Sequence, residues 1–83
     1  MLLSTRSRYG LKMMFEMALA YGNGPISLKD IAKKQKLSET YLEQLVAPLR
    51  KEGLVNSIRG AQGGYELAKT PEEISVGDII RIL

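Results

Sequence analysis

Residues 27–49, SLKDIAKKQKLSETYLEQLVAPL, hold two short helical patterns separated by a tight turn. Ser27 starts the first, and Ser27 with Asp30 resembles a capping box in which aspartate replaces the usual glutamate. Leu28, Ile31 and Ala32 give it an inward face, while Lys29, Lys33, Lys34 and Lys36 point outward, and it ends near Lys36. Ser38 is a cap for the second, and Glu39 suits the positive first turn that follows. Leu42, Leu45, Val46 and Leu49 then repeat at three- and four-residue spacing and face inward. Two short helices with a tight turn, the second carrying polar residues at its start, form the helix-turn-helix pattern. The turn has no glycine, and Leu37 is expected there as a buried plug. Pro48 removes an amide donor and crowds the carbonyl of Gln44, so a kink or local loosening is expected, with the helix resuming until Gly53.

Downstream of Gly53 the apolar period changes from helical to alternating. Residues 54–59 and 64–68 read as strands, joined by the glycine-rich turn Gly60-Ala61-Gln62-Gly63-Gly64. A hairpin directly after such a helix is the wing of a winged helix, and it should pack on the helices through Val55, Ile58 and Leu67. Ser75 and Asp78 then cap a last helix with Val76, Ile79, Ile80 and Leu83 as its apolar positions. That helix carries no stop signal, so the pattern reads as continuing past Leu83. Upstream, residues 4–21 read as a helix capped by Ser4 or Thr5 and ended by Gly22-Asn23-Gly24-Pro25. Leu11, Met14, Phe15, Ala18 and Leu19 share one face, widened by Tyr9, Met13 and Met17. The methionines read as core filler. The fold class expected is mainly α with a small β-hairpin, a winged helix-turn-helix occupying residues 1–83 as one domain, with the start of a further C-terminal helix.

Composition narrows the function. The 83 residues contain neither cysteine nor histidine, which removes disulfides, thiolate or imidazole metal ligands, cysteine nucleophiles and histidine acid–base chemistry from this chain. Through Ser38, seven basic residues stand against Glu16 and Asp30; from Glu39 onward, five basic stand against seven acidic. A basic front half suits a polyanion partner, and from charge alone an ordinary solvated helix face fits as well. No apolar run is long enough to span a bilayer, and Arg6 and Arg8 interrupt any secretory signal, so no membrane partner and a cytoplasmic location are expected. The glycine-rich turn lacks the lysine pattern of a phosphate-binding loop. Glu39 and Glu43, paired at helical spacing, lack a further ligand, which leaves a carboxylate-metal enzyme remote.

Thr40, Tyr41, Glu43 and Gln44 are the candidates for reading DNA. Thr40 and Gln44 lie four residues apart and share a face that Tyr41 and Glu43 flank. Glutamine can pair an adenine edge with donor and acceptor together, glutamate can accept from cytosine, and tyrosine offers a ring for a thymine methyl and a hydroxyl for a phosphate. A polar, solvent-facing stripe explains the same residues equally well. Arg59 sits at the wing tip, where an arginine suits a narrow minor groove and the following glycines allow close backbone approach. An ordinary hairpin turn is the alternative, but helix-turn-helix and wing in this order favour DNA over either feature alone.

Residues 3–11 (LSTRSRYGL), 41–45 (YLEQL), 49–55 (LRKEGLV), 59–65 (RGAQGGY) and 77–80 (GDII) resemble the Rrf-two family of bacterial winged-helix regulators, in order and over essentially the whole chain. The resemblance implies that Tyr41, Glu43 and Gln44 read the major groove and that Arg59 enters the minor groove, with Glu43 tuning which operator class is read; Thr40 joins the major-groove set from its place on the same helix face. It also implies that Ser57 and the amides of Gly60 and Gly63 hold phosphates, and Ser27, Arg6 and Arg50 are assigned as further phosphate contacts. Members of the family are homodimers that pair through a long helix beyond the position of Leu83. Its cluster-binding members carry three cysteines beyond that point too, so an iron–sulfur cluster would require cysteines after Leu83 and no cofactor is expected within these residues. Arg8 stands where one branch has an aspartate cluster ligand. The Gly-Ala-Gln-Gly-Gly wing and Ala47-Pro48-Leu49 are closer to the cysteine-metabolism branch. The function expected is a repressor binding a pseudo-palindromic operator on double-stranded DNA as a homodimer, under a protein or small-molecule effector. The alternative is a winged-helix protein-interaction module without a DNA role.

Overall fold

A computed structural model describes residues 3–83. Four α-helices, a two-stranded antiparallel hairpin and one short 3-10 turn make up the described residues, in the order helix, helix, helix, hairpin, 3-10 turn, helix. The mainly α fold with one small hairpin agrees with the expected winged helix-turn-helix.

Helix α1 (Thr5–Ala20) starts at Ser4, whose Oγ accepts from the amide of Ser7 at 3.0 Å. It buries Ser7, Gly10, Met13, Met14, Glu16 and Met17. This corrects the expected inward face. Of Leu11, Met14, Phe15, Ala18 and Leu19, Met14 is buried, whereas Phe15 and Leu19 are 58% and 62% exposed. Two apolar stripes overlap on this helix, and packing selects the one containing the small residues. A side chain at Gly10 would overlap Leu83, so that face can approach the last helix closely. Glu16, buried on the same side, accepts from Gln35 Nε2 across the gap to the second helix.

Helix α2 (Leu28–Gln35) is capped by Ser27, whose Oγ accepts from the Asp30 amide at 3.0 Å. The glycine-free turn is made by Lys36, which takes the left-handed conformation (φ 56°, ψ 48°) and donates its amide to Ala32 O. Leu37 follows half-buried against the core, as a plug between the two helices. Helix α3 (Glu39–Lys51) is capped by Ser38 Oγ, which accepts from the Tyr41 amide at 3.2 Å. The helical run is unbroken through Pro48, in place of the expected loosening. The carbonyl deprived of its donor belongs to Gln44, an exposed residue, where water can serve it. Gly53 (φ 81°) ends the helix: its amide reaches Arg50 O at 3.1 Å, and the Leu54 amide reaches Leu49 O at 3.0 Å. This is the paired bonding of a Schellman stop, with Leu49 and Leu54 both buried.

Strand β1 (Val55–Ile58) pairs with β2 (Gly64–Leu67) in the register Val55↔Leu67, Asn56↔Glu66, Ser57↔Tyr65, Ile58↔Gly64. Val55 and Leu67 pack inward as expected, at 1% and 4% exposure, but Ile58 is 38% exposed. Side chains alternate along a strand, so positions 55 and 58 face opposite sides and cannot both reach the helical body. The hairpin instead gains a third rung from Ile26, whose amide and carbonyl both bond Tyr65, at 2.9 and 2.8 Å. A 3-10 turn (Pro71–Glu73) follows, with Thr70 and Glu73 capping each other. These bonds from Thr70, first its backbone amide, hold the Glu73 carboxyl below its ordinary range. Helix α4 (Val76–Ile82) starts with the reciprocal Ser75–Asp78 box that the sequence suggests. Ile79 is buried and Leu83 packs on the core, whereas Val76 is 58% exposed. The core joins Met13, Met17, Ile31, Leu42, Leu45, Leu49 and Val55, all fully enclosed, so three helices and the hairpin share one apolar centre.

Candidate nucleic-acid interface

The inward positions of α3 determine what it shows to solvent. Leu42, Leu45 and Leu49 are 0% exposed and Val46 is 4% exposed, which turns Thr40, Glu43, Gln44 and Ala47 outward. Thr40, Glu43 and Gln44 are exposed; Tyr41 is half-buried. The Tyr41 ring meets Tyr9 of α1 edge-on, with centroids 5.7 Å apart and planes at 84°. Arg8 and Lys12 each bring their charged group to 5.6 Å from the centroid of the same Tyr9 ring.

A cleft of about 410 Å³ opens beside α3. Ser27, Glu39, Glu43, Arg50, Gly64 and Tyr65 are among the residues that line it. It therefore brings together the start of α2, the outer face of α3 and the turn-side end of strand β2 (Gly64–Leu67). Of the residues singled out from sequence, Ser27, Glu43 and Arg50 meet there. Ser57 is exposed on β1 opposite Tyr65, one of the lining residues. Thr40 and Gln44 stand on the open face of α3 outside the cleft, as Tyr41 does against Tyr9. Arg6, half-buried in the first turn of α1, is not among the lining residues.

Arg59 and Gly60 are exposed in the turn beyond Ile58. Gly60 has φ 115°, and the Gly63 amide closes the turn on Gly60 O at 3.0 Å. A side chain at Gly63 would collide with the Ile58 carbonyl, so the compact wing tip requires glycine there. Among the described residues the one ion pair is Arg81–Asp78, so Glu43, Arg50 and Arg59 have no ion-pair partner among them.

Sequence reasoning missed three residues at this end of the molecule. Tyr9 was expected to widen a core stripe, Lys12 contributed only to a charge count, and Arg8 was read as a break in any secretory signal and as standing at a cluster-ligand position, not as part of a DNA-facing cluster. Their meeting with Tyr41 depends on how α1 crosses α3, which local spacing does not encode. Glu39 and Glu43 share the cleft, but among the described residues no group of three or more His, Cys, Asp or Glu is arranged to hold a metal ion. Among the described residues no helix is long and apolar enough to cross a membrane.

The family model for Rrf2, described as "Iron-dependent Transcriptional regulator", matches residues 3–83. The donor set of these residues does not fit iron, since histidine and cysteine are absent and the carboxylates are dispersed. The HTH-type transcriptional regulator CymR of Bacillus subtilis (strain 168) is 60% identical over 100% of this chain and 60% of its own length. The structure of CymR, the global cysteine regulator of B. subtilis, superposes with a TM-score of 0.97 at 59% identity, covering 100% of this chain and 64% of that one. The structure of T. potens IscR superposes with a TM-score of 0.95 at 60% identity, covering 100% of this chain and 61% of that one. The chain spans about three-fifths of the length of these relatives. With the family model matching residues 3–83 and relatives of 60% identity along its full length, the chain belongs to the Rrf2 family, which comprises transcriptional regulators and not enzymes.

Proposed function

We propose that residues 1–83 form the DNA-reading domain of a repressor that binds a pseudo-palindromic operator as a homodimer. The observation that carries this reading is the cleft shared by α3 and the wing, lined by Glu43 and Arg50 on one wall and Gly64 and Tyr65 on the other. A cleft lined by both α3 and β2 supports reading the two elements as one DNA-facing surface. In the mechanism that follows, the first turns of α3 enter the major groove, where Thr40, Tyr41, Glu43 and Gln44 meet base edges. The wing reaches the flanking minor groove with Arg59, while the amides of Gly60 and Gly63 hold backbone phosphates. Ser27, Ser57, Arg50 and Arg6 add phosphate contacts that set register without reading sequence. Glu43 disfavours operators that present an acceptor opposite it. Two such heads, related by a twofold axis, require half-sites one or more helical turns apart. Repression follows from occupancy of the promoter, and a protein or small-molecule effector shifts the relative placement of the heads. A DNA partner places the protein in the cytoplasm.

The test uses fluorescence anisotropy with a duplex selected from a random library by the parent protein. Gln44→Ala should lose about 1–3 kcal/mol of discrimination between the preferred base pair and its alternatives, roughly 5- to 150-fold per half-site. Arg59→Ala should weaken binding most where the flanking minor groove is A·T-rich. Parent-like binding by both variants would contradict the residue roles, and a parent that selects no duplex would favour a protein-interaction module.

A further inference from the structure

Four side chains converge where α1 passes the reading end of α3. Tyr9 and Tyr41 meet edge to face, and the charged groups of Arg8 and Lys12 both stand 5.6 Å from the centre of the Tyr9 ring. Arg8 and Lys12 are exposed, while the two tyrosines are half-buried and packed against the core. The aromatic pair is thus a half-buried post with two exposed cations set against the ring of Tyr9.

Among the described residues neither cation has an ion-pair partner, since Arg81–Asp78 is the one ion pair there. Tyr41 donates its amide to the Ser38 cap, so the pair lies at the first turn of α3, the positive end of that helix. Glu39 and the Ser38 cap partly offset that helix end, but Arg8 and Lys12 still repel one another across the shared ring, and an anion that joins them relieves that repulsion. An anion that runs past this place while α3 occupies a groove is the sugar–phosphate backbone alongside that groove.

We propose that Arg8 and Lys12 form a phosphate-contacting site on α1, and that Tyr9 is a positioning residue that holds both cations and the Tyr41 ring beside the reading end of α3. The proposal rests on the DNA-reading function above and adds a contact outside the helix-turn-helix and the wing. Arg8 and Lys12 supply affinity without sequence preference, because phosphates are the same at every base pair. Tyr9 acts through its neighbours: without its ring, Tyr41 loses the surface that restricts its rotamers, and the cations lose the face that gathers them.

The experiment measures binding of the full-length protein to two duplexes of equal length between 50 and 200 mM salt. One duplex is the parent-selected operator and the other has random sequence. Each lost phosphate contact makes the slope of log affinity against log salt shallower by about 0.9. Arg8→Gln with Lys12→Gln should therefore flatten the slope by about that amount per residue on both duplexes, with base preference kept. Tyr9→Leu should flatten the slope and also blur base preference, and Tyr9→Phe, which keeps the ring, should restore both. A parent-like slope for the double charge variant would overturn the proposal. So would a Tyr9→Leu protein that changes only in melting temperature, since that is the signature of a structural contact. Gln44→Ala and Arg59→Ala serve as controls. If they lose binding as expected while the α1 variants do not, this inference alone fails; if every variant matches the parent, the DNA-reading function fails with it.

Discussion

Gly64→Ala is expected to destabilise the protein by about 2–3 kcal/mol, the combined scale of an incompatible backbone conformation and a backbone clash. Gly64 opens β2 with φ 154°, and a Cβ there would lie 2.5 Å from Ile26 O and 2.9 Å from the Ser27 amide nitrogen. Both are backbone atoms, which cannot turn aside as a side-chain tip can. To make room, Ile26 must withdraw from Tyr65 and surrender the two bonds that tie the wing to the segment leading into α2. The same movement displaces Ser27, the cap of α2. A lowered urea midpoint at unchanged m-value checks the loss of stability. Weaker operator binding at temperatures where the variant is still folded checks the displacement of the wing. Gly60→Ala is the informative contrast. No atom lies within 4 Å of a Cβ placed there, so only the positive φ of 115° opposes it, and the damage should stay within the wing tip. A Gly64→Ala protein with the parent's midpoint would mean that the close approach of β2 to Ile26 is absent in solution.

Leu45→Ala should cost about 2–5 kcal/mol, the range for truncating an enclosed leucine. Leu45 is 0% exposed and lies in the core that joins α1, α3 and the hairpin, and its neighbour Gln44 is one of the proposed base-reading residues. Truncation removes transfer free energy and leaves a cavity that Met13, Met17 and Ile31, themselves fully enclosed, can fill only partly. In a domain of this size each kilocalorie shifts the melting temperature by about 4–8 °C, so a fall on the order of 10–30 °C is expected by thermal unfolding. Operator affinity should fall only as the folded fraction falls, because Leu45 presents nothing to solvent. A shift of less than about 3 °C would show that the centre of the core lies elsewhere.

The two predictions concern parts of the molecule that were unequally legible in the sequence. Ser27 and Ser38 announce the starts of α2 and α3, and the inward residues of α3 follow from spacing alone, since a helix three turns long with Leu42, Leu45, Val46 and Leu49 on one side has only one way to face a core. The exposed set Thr40, Glu43 and Gln44 then follows by exclusion. Helix α1 is different. Its apolar residues cover more than half the circumference, so periodicity alone does not choose between the stripe with Phe15 and Leu19 and the stripe with Gly10, Met13 and Met17. The choice is made by close approach at Gly10 and by a hydrogen bond from Gln35 to Glu16, nineteen residues apart. The third rung at Ile26 and the Tyr9–Tyr41 contact are likewise pairings between distant segments. Ile58 was misplaced for a simpler reason, because alternation along β1 already opposes it to Val55. What local patterns do convey is where elements begin and which residues are polar; what they leave out is which faces meet.

The central claim is that the start of α3 and the tip of the wing address one duplex from one side. Base-by-base binding profiles of the parent, Gln44→Ala and Arg59→Ala over a library of duplexes test it most directly. The profiles should show Gln44→Ala losing preference at a few major-groove positions in each half-site, and Arg59→Ala losing preference at A·T-rich positions immediately flanking them, about half a helical turn away. Losses at positions on opposite faces of the duplex, or profiles identical to the parent's, would contradict it.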